Sequence, residues 1–121
     1  MSRIYLISRF ENPVGIGLGD TLRTEGHEVF NGGQHCDDDI FGFSLMFLDW
    51  ADTGVLVLPV EKAGHIEFGY LRGQKKRVYV LLSDGSEADA IYISLVLPDR
   101  RWFASEVCYD VPQLIRALSV P

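Results

Sequence analysis

From Asp49 to Asp84 the chain reads DWADTGVLVLPVEKAGHIEFGYLRGQKKRVYVLLSD, and this stretch limits the possible folds more than any other. Thr53 to Pro59 is an apolar run short enough to be a fully buried strand. A loop carrying Glu61 and Lys62 follows, then a helical segment around Gly64 to Arg72 with Glu67 in its first turns. Gly73 reads as the helix stop, and Arg77 to Leu82 as a second apolar strand. Two such strands joined by a helix make a βαβ unit, which belongs in a parallel sheet covered on both faces. Ligands of such sheets bind beyond the carboxyl ends of the strands. Glu67, just past the first strand of the unit, is therefore the leading candidate for a functional carboxylate.

The flanking sequence continues the alternation. Arg3 to Ser8 (RIYLIS) is an apolar opening strand. Asn12-Pro13 supplies a cap and a first-turn proline, starting a helix that runs to about Glu25 and stops at Gly26. His27 to Phe30 reads as a short second strand. Gly15, Gly17 and Gly19 spell GxGxG, which is not the dinucleotide fingerprint; small residues here let the chain pass close to a ligand or a neighbouring element. Asn31 to Asp39 is a polar loop whose closing aspartates suit a helix N-terminus. His35, Cys36 and those aspartates lack the alternating or paired donors of a calcium or zinc site, so no metal is expected.

Ile40 to Asp52 reads as a helix made apolar on most sides by Phe43, Phe47 and Trp50, one face of which is expected to be hidden in a homodimer. Beyond Leu82 come a turn at Ser83 to Ser86, a short helix from Glu87 to about Ser94, and a last strand at Trp102 to Ala104. Asp110 then caps a final helix, Val111 to Leu118. With no linker to divide it, the chain is read as a single α/β domain over residues 1–121, an open three-layer sheet of five strands and about five helices.

Composition narrows the partners. A net charge of −6 and the lack of a basic stripe argue against a nucleic-acid polymer or an anionic membrane. A small anionic ligand remains compatible, since backbone N–H groups bind phosphate on an acidic protein. Cys36 and Cys108 form no CxxC pair and read as ordinary thiols in a reducing cytoplasm. The opening MSRIYLIS lacks a signal peptide's long apolar segment, and no run approaches the ~20 residues of a membrane span. A cytoplasmic location is expected.

Three segments, RIYLIS, the strand AD-x-x-VLVLP and the unit HIEFGYLRGQKKRVYVLL, together resemble the nucleoside 2-deoxyribosyltransferase superfamily, which includes nucleoside 5′-monophosphate N-glycosidases. The resemblance implies a flavodoxin-like fold with a five-stranded parallel sheet in the order 2-1-3-4-5. It also implies a homodimer or higher homo-oligomer, a small-molecule nucleoside or nucleotide as substrate, and no cofactor. Glu67 matches the family's nucleophilic glutamate. Breaking an N-glycosidic bond passes through an oxocarbenium-like state at C1′, which a carboxylate stabilises or attacks.

By the same resemblance Tyr5 and Phe10 stand where members place residues around the sugar and the nucleophile, with Ser8 in the loop after the first strand. Members carry a base-binding acid eight residues before the aspartate that opens the middle strand; here that position is Ser44, and Asp49 is a carboxylate further along the same helix. In the loop VEKAGHIE, which precedes and includes Glu67, Glu61 stands about where relatives have Asp or Ser. Gly64 and His65 complete the candidate binding set, and Lys62 or His65 offsets the negative charge toward a 5′-phosphate.

Simpler roles stand beside these. Glu67 also fits an acid placed at a helix N-terminal turn; His65 fits a first-turn polar residue, and His27 a surface residue at a strand start. Gly69 and Tyr70 fit packing, and Lys75 to Arg77 a solvated turn. Three functions stay open: an enzyme of the N-glycosidic bond, a nucleotide-binding relative weakened in catalysis by Ser44, and an assembly domain using the apolar helix.

Overall fold

The computed structural model describes residues 1–9, 12–32, 45–60, 62–82 and 106–119. Strands β1 (Arg3–Ile7), β2 (Glu28–Asn31), β3 (Thr53–Leu58), β4 (Arg77–Leu82) and β5 (Glu106–Cys108) form one sheet. Every pairing is parallel and the order is β2-β1-β3-β4-β5, the flavodoxin-like arrangement. The described helices are α1 (Pro13–Thr24), α2 (Leu45–Trp50), α3 (Lys62–Gly73) and α4 (Val111–Ser119).

The period of two along each strand divides the core. Tyr5, Ile7, Leu56, Leu58, Val78 and Val80 point to one face and meet Leu48 of α2 with Phe68 and Leu71 of α3. Ile4, Leu6, Val55, Val57, Tyr79 and Leu81 point to the other and meet Leu18 and Leu22 of α1 with Leu114 and Leu118 of α4. Helices thus cover both faces, which is why every residue of β3 is buried and why its sequence is apolar without alternation. Close packing on the first face requires Gly54: a Cβ there would lie 2.6 Å from Leu71 Cδ1.

Helix α1 is bounded by its sequence. Asn12 Oδ1 accepts from the Val14 amide at 3.0 Å, and Pro13 occupies the first turn, where its missing N–H is not needed. Gly15, Leu18, Gly19 and Leu22 make the buried stripe. At the far end Gly26 takes φ +95°, and the His27 amide reaches back to the Leu22 carbonyl at 3.1 Å.

Several expectations shift. The last described strand is Glu106–Cys108, where register with β4 sets Leu81 opposite the buried Cys108. The strand expected at Trp102 to Ala104 lies outside the described residues, as do 83–94. The second strand is displaced by one residue, ending at the buried Asn31, and α3 begins at Lys62. The stretch expected as helix from Ile40 is described only from Leu45. It closes at Trp50, and Asp52 instead accepts the Arg3 amide with its carboxylate at 3.2 Å.

The basic turn is not simply solvated. Lys76 Nζ donates to the carbonyls of Leu48 at 2.6 Å and Asp49 at 3.1 Å, satisfying the exposed end of α2. His27 is half-buried, and its Nδ1 accepts from the Ser2 amide at 3.0 Å.

Candidate active site

Strands β1 and β3 are neighbours, yet the chain leaves β1 for α1 on one face and β3 for α3 on the other. The two connections diverge past the carboxyl ends of these strands, the place where ligands of such folds bind.

Helix α3 turns its Gly64, Phe68 and Leu71 toward the sheet, all three buried, and the four-residue spacing puts Glu67 on the edge of that stripe. Gly64 sets how closely the helix approaches: a Cβ there would lie 2.7 Å from Val60 Cβ and 3.1 Å from Ile7 Cγ2. With α3 seated this low, Glu67 is half-buried over β1 and its Oε2 accepts a hydrogen bond from the Tyr5 hydroxyl. Burial pushes the Glu67 carboxyl up to about 7.

Tyr5 itself is fully buried. Its ring leans on Phe30 with centroids 5.3 Å apart, and Phe30 stacks on Phe47 at 3.9 Å with ring planes 7° apart. A buried phenol on a rigid aromatic row is a fixed donor, and a carboxyl titrating near neutrality is available both as base or nucleophile and as acid.

Ser8 comes directly after the last residue of β1. Its Oγ is shut off from solvent and has no hydrogen-bond partner among the described residues. It faces the first turn of α1, where a Cβ on Gly15 would come within 2.5 Å of that oxygen. Of the GxGxG glycines, Gly15 marks this approach to a neighbouring element, while Gly17 faces open space. Asn31 pins the same turn, its Nδ2 donating to the Gly15 carbonyl at 3.2 Å.

The structure thus brings Tyr5 and Glu67 together and places Ser8 and Gly64 beside the same strand ends. His65 is exposed on α3. Asp49 lies elsewhere: its Oδ1 accepts from Tyr70 Oη at 2.7 Å and Gln74 Nε2 at 2.9 Å, bonds that hold its carboxyl below the usual range. It lines a cleft of about 830 Å³ with Arg3, Asp52, Lys75 and Arg77 at the amino ends of β1, β3 and β4. Phe10, Ser44 and Glu61 lie outside the described residues, as do His35, Cys36 and Asp37 to Asp39. Gly32, read in the sequence as part of a polar loop, stands against the Tyr5 ring. Its only sequence signal is a glycine directly after a strand.

No protein-family model matches the chain, and no curated protein matches it by sequence. Solved structures do. The CMP N-glycosidase BcmB of Clostridium botulinum aligns with a TM-score of 0.67 at 18% identity, over 98% of this chain and 99% of that one. The solution structure of BlsM gives 0.68 at 22% identity, over 95% and 88%. A conserved protein of Enterococcus faecalis V583 gives 0.67 at 12% identity, over 98% and 97%. At these identities what the likeness shows is the shared fold.

Proposed function

We propose that this protein breaks the N-glycosidic bond of a nucleoside or nucleotide, with Glu67 as the carboxylate that meets C1′. One observation carries the reading: a half-buried carboxyl on α3 is held by a buried tyrosine of β1 and pushed by burial into the neutral range. The likeness in fold to a CMP N-glycosidase supports the same chemistry.

In this reading the ionised Glu67 attacks C1′ as the bond to the base breaks. The electron pair leaves with the base nitrogen, which takes a proton from water. Water or an acceptor base then displaces Glu67 from C1′ and restores the carboxylate. Tyr5 aims the carboxylate and shares its charge until attack. Ser8 and Gly64 border the sugar side and His65 a 5′ substituent; Phe10, Ser44 and Glu61, outside the described residues, keep the roles the resemblance gives them, whereas Asp49, at the amino ends of the strands, has none in this reading. A second copy of the chain covering the apolar side of α2, where Met46 is 55% exposed, is part of the proposal; sedimentation tests it.

The test is incubation with a panel of nucleosides and 5′-monophosphates, CMP among them, with and without an acceptor base, followed by chromatography for free base. Turnover that disappears in Glu67→Ala supports the reading. A rise in melting temperature with a nucleotide but no base release would instead favour a binding protein without turnover.

A further inference from the structure

Among the described residues Gly26 is the one glycine with positive φ, so the backbone at Gly32 does not itself require glycine. What requires it is space. A Cβ on Gly32 would lie 2.8 Å from the Tyr5 hydroxyl oxygen and 3.0 Å from both Cε1 and Cζ of the ring. Non-bonded carbons settle at about 3.5–4.0 Å, so one of the two residues has to move.

Tyr5 has nowhere to go. It is fully buried in β1, between Ile4 and Leu6, which face the other side of the sheet. Its ring is backed by Phe30, two residues before Gly32 and opposite Tyr5 in the β1–β2 register. Phe30 in turn is backed by Phe47 and cannot retreat. The remaining freedom is at the hydroxyl end, which is the end bonded to Glu67.

We infer that Gly32 is a positioning residue for the Glu67 carboxyl: by carrying no side chain it leaves the Tyr5 hydroxyl room to reach that carboxyl. The catalytic consequence rests on the reading of Glu67 given above, whereas the geometric claim is tested without any substrate. The atoms nearest a Cβ on Gly32 all belong to Tyr5, so it acts through the phenol. The end of β2, far from Glu67 in sequence, thereby tunes the site.

The experiment follows the carboxyl by ¹³C NMR in protein labelled at the glutamate side-chain carboxyl, with Glu67 assigned from the signal lost in Glu67→Gln. A Tyr5 hydroxyl donating to the carboxylate favours its ionised form, so losing it raises the titration midpoint. Tyr5→Phe and Gly32→Ala are both expected to raise the Glu67 midpoint by about one pH unit. The double variant is expected to match Tyr5→Phe alone, because both changes remove the same bond. A folded Gly32→Ala with the wild-type midpoint overturns the inference, and so does a double variant whose shift is the sum of the two.

If Gly32→Ala does not fold, melting temperatures decide. With the ring removed, Tyr5→Leu/Gly32→Ala is expected to melt with Tyr5→Leu, and a further large loss in the double variant overturns the claim that Tyr5 is the obstacle. Base release is measured separately. A wild-type protein that releases no base defeats the proposed reaction and leaves the positioning role of Gly32 to be decided by the titration alone.

Discussion

The hydroxyl of Tyr5 in β1 donates to the carboxylate of Glu67 in α3, so two residues 62 positions apart meet between the sheet and the helix. The strand fixes the phenol and the helix delivers the carboxyl, so each holds the other in place. A hydrogen bond to a charged group contributes about 1.5–3 kcal/mol. Tyr5→Phe is therefore expected to lower kcat/KM for base release at pH 7 by roughly 10- to 100-fold. Circular dichroism should show the fold retained, because only one oxygen is removed.

The carboxyl's raised titration range gives the pH dependence of the reaction a sign. Attack requires the ionised form, and Glu67 ionises at about pH 7. With the free protein, kcat/KM should climb by about tenfold per pH unit below 7 and level off above it. A profile flat between pH 5 and 8, or one falling with pH, would show that another group controls the step.

The same shift governs stability in the opposite sense. Glu67 titrates at 4.5 when unperturbed and at about 7 when folded. Between those values the native state keeps a proton that the unfolded chain has lost, so stability falls as pH rises through this window. The full effect is up to roughly 3 kcal/mol above pH 7. Glu67→Gln, which carries no charge to bury, should therefore raise the melting temperature at pH 8 and leave it nearly unchanged at pH 4. A site kept at the expense of stability is what a functional carboxyl looks like.

The seat of α3 can be tested at Gly54. A Cβ there would strike Leu71 Cδ1 on a fully buried side chain. Gly54→Ala is expected to cost about 1–3 kcal/mol in urea unfolding. Leu71→Ala, which opens a cavity, should cost about 2–5 kcal/mol. The double variant should be less destabilised than the sum, because each change makes room for or fills the other.

These relationships differ in how far the sequence reveals them. The run Thr53 to Leu58 and the run Arg77 to Leu82 announce strands buried on both sides, because no other setting tolerates an unbroken apolar stretch of that length. Gly64, Phe68 and Leu71 carry the helical period, which places Glu67 at the rim of the buried stripe. The Tyr5–Glu67 contact is different. Nothing local to RIYLIS says where a phenol will point, and only sheet order with the seating of α3 brings it to Glu67. The same holds for Gly32, whose reason for being glycine lies on another strand, and for β5, whose three residues find their place through register with β4. The Asp49 carboxylate, grouped with the site on resemblance, is bound instead to Tyr70 and Gln74 at the end of α3.

The most direct measurement compares the rate of base release by the wild-type protein and by Glu67→Gln on the best substrate of the panel, at pH 8, with both proteins shown to be folded. A loss of at least ~10³-fold in the variant is the expected result for removal of an attacking carboxylate. Equal rates in the two proteins would contradict the assignment of Glu67 as the group that meets C1′.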